Sequence, residues 1–178
     1  MDETRFVNVY IDSEELIREK NLKVEPETWV RCVIGFGIGL SGFAIGFVQD
    51  WWLSMLVGSF IAIYGFLRFL EHIVGPKKLM AKIRKENGGD IPTATLEMGE
   101  KLTHSYRGVT MTVLFSDVQK VYFLDRSIYL QAERWYLTVD RKGFVKGNAG
   151  EFEDFLREKC KNAEFYHKES KKFREETK

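Results

Sequence analysis

The sequence predicts an α+β protein in which a membrane-spanning helical hairpin precedes an antiparallel β-roll or barrel that is capped by a C-terminal helix. Two apolar runs without charge, Cys32–Val48 and Trp51–Leu67, are separated only by Gln49 and Asp50. As helices, each would cover roughly 25 Å, close to the ~30 Å hydrocarbon thickness of a bilayer. From Pro92 onwards apolar residues recur at every second position, which is the period of a half-buried strand.

Residues 1–28 are predicted to form a short strand and a short helix before the hairpin. Residues 5–11 are mostly apolar with loose alternation and predict the strand, and Asp12–Glu15 supplies a helix cap with acids in the first turn. The sequence leaves open whether this strand pairs with the later β domain.

Residues 29–75 are predicted to be the two-helix transmembrane hairpin. Small residues recur on one face of each helix, and they let two backbones approach closely in lipid. A hairpin contact is favoured over a contact between copies because the connection is short, although both remain open. The predicted packing residues are Gly35, Gly39, Gly42, Gly46, Ser54, Gly58, Ala62 and Gly65.

The charges that flank the hairpin predict its orientation. Basic residues such as Arg18, Lys23 and Arg31 precede it, others such as Arg68 and Lys77 follow it, and the connecting turn has none. The positive-inside rule then predicts a multi-pass protein of the cell membrane with both termini in the cytoplasm. The alternative, a buried hairpin in a soluble protein, would need a larger surrounding core than the remaining sequence supplies.

Residues 76–91 are predicted to be a charged connector between the hairpin and the β domain. The helical pattern is expected to continue to Val74 and to be interrupted at Gly75-Pro76, because proline lacks the N–H that a helix interior uses. A charged helix is expected over 77–86, and the glycine pair in 87–90 indicates the boundary of the next domain.

Residues 92–161 are predicted to form the β domain. Three strands in a meander are expected between Thr93 and Phe115, followed by strands over 120–125, 127–133 and 134–140. Asn148 with Glu151 three residues later predicts the start of a final helix. The charged tail, 162–178, could extend this helix or fray.

This order of elements resembles that of the YcxB-like membrane proteins of bacteria over nearly the whole chain. The resemblance is carried by Tyr10–Glu15, by Val109–Phe115 with the following Ser116–Val121, and by Asp140–Phe144 before the final helix. It differs from the family in having Phe115 where tryptophan is frequent and Asp140 where proline is usual. The resemblance implies a cytosolic roll similar to pleckstrin-homology (PH) domains, and it implies no catalytic residues.

No residue pattern in the sequence predicts an enzyme, a cofactor or a metal site. The letters of residues 37–42 match a dinucleotide-binding GxGxxG motif, but they lie inside an apolar helix where close packing explains them. His104 is expected to be a hydrogen-bonded core histidine, and the basic neighbours of Cys160 could lower its pKa. The net charge of +1 gives no general attraction to nucleic acid.

Basic residues near the β turns are the predicted contacts with an anionic headgroup or a protein partner. These residues are Lys101, Arg107, Arg126, Arg141 and Lys142. The predicted function is therefore a non-enzymatic, membrane-anchored protein that presents a PH-like domain to a protein or anionic-lipid partner. One alternative is an oligomeric or channel-type assembly on the glycine-rich helices. Another is a membrane enzyme with its site at the inner interface, around Arg68, Glu71 and His72.

Overall fold

A computed structural model of the chain describes residues 4–133 and 135–170. It confirms an α+β protein with two long apolar helices, followed by mainly antiparallel sheets and a helix near the C-terminus. The chain divides into two compact units. One combines Met1–Glu19 with Ile83–Lys178, and the other is Lys20–Lys82.

Three helices lie between the first strand and the second. They are α1 (Glu14–Lys23), α2 (Pro26–Val48) and α3 (Trp52–Glu86). Both α2 and α3 are long and apolar enough to cross a membrane by length and composition, and only 11% and 17% of their most apolar windows are buried. Most residues of these windows are therefore not buried by the rest of the chain.

Helix α3 continues through Pro76, contrary to the expectation of an interruption at Gly75-Pro76. Proline removes one backbone hydrogen bond and crowds one carbonyl, and a long helix can absorb that defect as a local bend. The expected connector helix over 77–86 is therefore the last part of α3 and not a separate element.

The first sheet contains five strands in the order β4-β3-β2-β1-β8. Their bounds are β1, Phe6–Ile11; β2, Thr93–Met98; β3, Leu102–Tyr106; β4, Val109–Val113; and β8, Phe144–Lys146. Strand β1 is flanked by β2 and β8 and is antiparallel to both. The question that the sequence left open is thus answered, since the N-terminal strand belongs to the β unit and the helices are inserted between two neighbouring strands.

The second sheet contains four strands in the order β7-β6-β5-β9. They are β5 (Val118–Phe123), β6 (Ser127–Ala132), β7 (Trp135–Asp140) and β9 (Glu164–His167), and β9 is parallel to β5. Helix α4 (Ala149–Lys159) starts where the sequence predicts, because the Asn148 side chain accepts a hydrogen bond from the Glu151 N–H. The boundaries of 92–161 thus omit two strands, β1 and β9.

The core of the β unit brings together both sheets and α4. Phe6 of β1 contacts Phe152 and Phe155 of α4 with ring centroids 5.4 and 5.2 Å apart. The side chain of Asn8, which is fully buried, donates to the Asp140 carbonyl at 2.7 Å and accepts from the Asp140 N–H at 3.2 Å. Asn8 therefore closes the corner between the two sheets by satisfying the backbone of β7.

The first part of α1 is tied to the second sheet. The Tyr129 hydroxyl donates to the Leu16 carbonyl at 3.0 Å. The carboxylate of Glu19 accepts from the Ser127 hydroxyl at 2.8 Å and from the Arg126 N–H at 3.2 Å. Strand β1 and the start of α1 consequently form part of the β unit and are not an independent N-terminal domain.

Candidate functional site

The glycines of the helical hairpin lie where α2 and α3 are in backbone contact. A Cβ atom added to Gly39 would lie 2.3 Å from the Ala62 nitrogen, and one added to Gly58 would lie 2.4 Å from the Phe43 nitrogen. Gly46 opposite Met55 and Gly65 opposite Phe36 show the same close approach. Seven of the eight predicted packing residues take part in this contact or border it.

Gly35 is the exception among the predicted packing residues. A Cβ added there would meet no atom within 4 Å, so its spacing puts it beyond the contact with α3. A Cβ added to Gly42 would lie 3.6 Å from the Gly58 Cα, an ordinary van der Waals distance, and the Gly42 carbonyl accepts a hydrogen bond from the Ser54 hydroxyl at 2.9 Å. The close approach of Gly39, Gly46, Gly58 and Gly65 is thus made within one hairpin.

Arg141 is embedded in the β unit, contrary to the expectation that it contacts a ligand. Its guanidinium donates to the Leu124 carbonyl at 2.7 Å and to Glu169 at 2.9 Å, and it is paired with Glu153. The side chain is only 11% exposed. Arg141 thus connects its own turn to the turn at Leu124, to α4 and to the segment after β9. The two carboxylates are the partners that a desolvated guanidinium requires.

Two other predicted contact residues are also engaged in ion pairs. Arg126 is paired with Glu15 of α1, and Arg107 lies 3.5 Å from Glu86 at the end of α3. Within the described ranges, Lys101 and Lys142 have no ion pair, and both are exposed on turns. The structure therefore leaves two of the five predicted contacts as solvated cations.

A cleft of about 1070 Å³ lies in the β unit between the start of α1, the start of α4 and two turns. It brings Arg126, Arg141 and Lys142 together with five carboxylates, so its lining carries three positive and five negative side chains, a balance of −2. The carboxylates are those of Glu15, Asp125, Asp140, Glu153 and Glu169. This balance gives no net electrostatic attraction for a phosphate headgroup.

A second group of polar side chains surrounds His104. Its Nε2 lies 3.5 Å from the Tyr10 hydroxyl, and burial lowers the pKa of His104 although Asp12 opposes that shift. Burial raises the pKa of Asp12, while His104 and Arg107 act in the opposite direction. His104 is therefore half-buried and within 3.5 Å of the Tyr10 hydroxyl, whereas the sequence predicts a hydrogen-bonded histidine in the core.

Cys160 differs from the sequence expectation. Its thiol is buried, and burial raises its pKa to about 11, so the lysines beside it in sequence do not activate it. Arg68 is hydrogen-bonded along α3 to the Tyr64 hydroxyl and to Glu71, at 3.2 and 2.9 Å. In the part of the chain that the structure describes, no group of three or more acidic, histidine or cysteine side chains is placed to hold a metal ion.

Comparisons with protein families, with curated proteins and with solved structures find no match to this chain. The YcxB-like resemblance therefore remains a prediction from the residues.

Sequence reasoning missed two features of the β unit, the roles of Asn8 and Arg141. Asn8 lies at an inward position of an apolar strand, which is the one signal that could have indicated a buried polar residue.

Proposed function

We propose that this protein is an integral membrane protein whose helical hairpin anchors a cytosolic, PH-like β domain that binds a protein partner without catalysis. The observation that carries the proposal is the contrast between the two units. The helical unit leaves large side chains such as Ile38, Phe47 and Phe60 between 59% and 69% exposed, whereas the β unit encloses a core of its own. A bilayer is the solvent that such helices require.

The basic flanks of the hairpin support a cytoplasmic position for both termini. The chain leaves the β unit after strand β1 and returns to it at β2, so a single domain is attached to the membrane at two points in its sequence. An insertion of this kind suits a protein that must remain at the membrane, because loss of one connection would leave the domain attached through the other.

A protein partner is favoured over an anionic lipid. Arg107, Arg126 and Arg141 are neutralised by carboxylates of the same chain, and the cleft lining is acidic in balance. Lipid recognition by a basic surface needs several unpaired cations on one side, each contributing roughly 1 kcal/mol. Two solvated lysines on separate turns fall short of that requirement.

The anchorage is tested by producing the full chain without detergent and washing the membrane fraction at alkaline pH. We expect the chain to stay with the vesicles and to be released only by detergent. Binding preference is tested on the purified protein, reconstituted in neutral and in 30% anionic vesicles. The reconstituted protein is then mixed with added free vesicles that are either neutral or anionic. Stronger capture of the anionic vesicles, lost in the Lys101→Ala/Lys142→Ala variant, would favour the lipid instead.

A further inference from the structure

Strand β4 is the outermost strand of the first sheet and pairs only with β3 among the described residues. The turn between them consists of Arg107 and Gly108, both with positive φ, as in a two-residue hairpin turn. In such a hairpin the flanking pair, Tyr106 and Val109, shares hydrogen bonds, and the pattern alternates along the strands. The N–H and C=O groups of Thr110 and Thr112 therefore point away from β3, toward the open edge.

The other sheet edges each carry a feature that limits further pairing, although at β7 it involves only the last residue of the strand, Asp140. At β7 the backbone of Asp140 is already bonded to Asn8. Strand β8 has only three residues and ends in Lys146, and β9 has Glu164 and His167 at its ends. Native edge strands are protected in this manner, by shortness, charge or coverage.

Among residues 4–133 and 135–170, nothing gives strand β4 such protection. Its sequence, Val-Thr-Met-Thr-Val, contains no charge, no proline and no glycine, and it has no bulge in its pairing with β3. Val109 is 70% exposed, and Leu114, just beyond the strand, is 46% exposed. An unprotected edge of β-branched residues is a template for pairing with another strand.

The sequence of β4 is symmetric about Met111, and this symmetry selects the occupant. If two copies pair antiparallel with Met111 opposite Met111, Thr110 faces Thr112 and Val109 faces Val113. The threonines whose backbone groups point outward then meet each other, giving four backbone hydrogen bonds. Valine–valine and threonine–threonine neighbours are favourable across strands, and the absence of charge removes repulsion between identical chains.

We propose that β4 pairs with β4 of a second copy of this chain, joining two five-stranded sheets into one around a two-fold axis at Met111. The inference rests on the proposed membrane anchorage, because an interface of five residues a side is smaller than those of stable soluble complexes. Confinement of both copies to one membrane raises their effective concentration and compensates for the small area.

The test is disulfide crosslinking of the full chain in vesicles. In a background of Cys32→Ser and Cys160→Ala, Met111→Cys places two thiols at the one self-opposed position, where a non-hydrogen-bonded pair has Cα atoms about 4.5 Å apart. With copper phenanthroline as oxidant, we expect a dimer of twice the chain mass. Val145→Cys, 74% exposed on the opposite edge strand, is the matched control and should crosslink at least about fivefold less.

A charge pair separates specific pairing from random collision. Thr110→Lys with Thr112→Lys places lysine opposite lysine and should reduce the Met111→Cys dimer to the control level. Thr110→Lys with Thr112→Glu changes the same two positions but places lysine opposite glutamate, so the dimer should return. Both variants change the same two positions of β4 and should affect folding similarly. If the crosslinked dimer returns in the second variant, its loss in the first is not caused by misfolding.

Three results would overturn the inference: Met111→Cys that crosslinks no better than Val145→Cys, a dimer that survives the double lysine change, or an adduct in cell membranes whose mass is not that of two chains. The last would indicate a foreign strand at this edge. An alkaline wash of the same samples keeps the two proposals apart. Chains that stay in the vesicles but fail to crosslink refute β4 pairing alone, whereas chains that wash off refute the anchorage.

Discussion

The amide of Asn8 provides a quantitative test of how the β unit is closed. Replacing Asn8 by alanine leaves the N–H and the C=O of Asp140 without their partner at a corner where Asn8 itself is 0% exposed. Each backbone group that is left unsatisfied after burial costs about 1–3 kcal/mol, so the change should cost about 2–6 kcal/mol. Since total stabilities are about 5–15 kcal/mol, this is a large fraction.

Amide hydrogen exchange of the detergent-solubilised full chain measures this cost locally. A loss of about 2 kcal/mol in the free energy of opening accelerates exchange roughly 30-fold, and we expect at least that acceleration in peptides that cover β1 and β7. Peptides from α2 should be unchanged and serve as an internal reference. Asn87→Ala is the matched control, because Asn87 makes one side-chain hydrogen bond, to the Ile83 carbonyl at the end of α3.

Acceleration of less than about fivefold in both strands would refute the conclusion that Asn8 holds the sheets together. Equal acceleration in Asn8→Ala and Asn87→Ala would show that the effect comes from losing any asparagine amide. Either result would mean that water reaches the Asp140 backbone and replaces the side chain.

Three further predictions concern single residues. Gly39→Ala should lower the melting temperature of the hairpin in detergent, because its Cβ would lie 2.3 Å from a backbone atom of α3. Gly35→Ala should leave the melting temperature unchanged or raise it by removing a helix-interior glycine. Equal effects of the two changes would contradict the packing described above. Because burial lowers the pKa of His104, the unfolded chain takes up a proton below about pH 6.5 that the native state resists, so stability should fall as the pH decreases from 6.5 toward the native pKa. His104→Gln should flatten that slope in urea titrations at several pH values, and an unchanged slope would assign it to another group. The buried thiol of Cys160, with its pKa raised to about 11, should react with iodoacetamide at pH 8 at least about 100-fold more slowly than after unfolding, as followed by mass spectrometry; a fast native reaction would show that the site opens.

Several local elements followed directly from the sequence, although the expected interruption at Gly75-Pro76 is absent and β9 was not predicted. Apolar runs of about 17 residues without charge predict helices that are buried or lie in a membrane. The alternation from Thr93 to Val113 indicates which face of the meander is apolar. The cap at Asn148 depends on two residues three positions apart. These features are decided within one or two turns of the chain, so residues close in sequence carry the information.

The tertiary structure decided how distant parts of the chain meet. The position of β1 between β2 and β8, and the contact of Asn8 with Asp140 (132 residues apart), depend on segments distant in sequence, for which one sequence gives no pairing signal. The structural role of Arg141 depends on carboxylates supplied by other elements, Glu153 of α4 and Glu169 after β9. The same applies to Gly35, whose spacing matches its neighbours although α3 does not reach it. Periodicity specifies the face of an element, but the partner of that face is selected by the packing and hydrogen bonding of the whole fold.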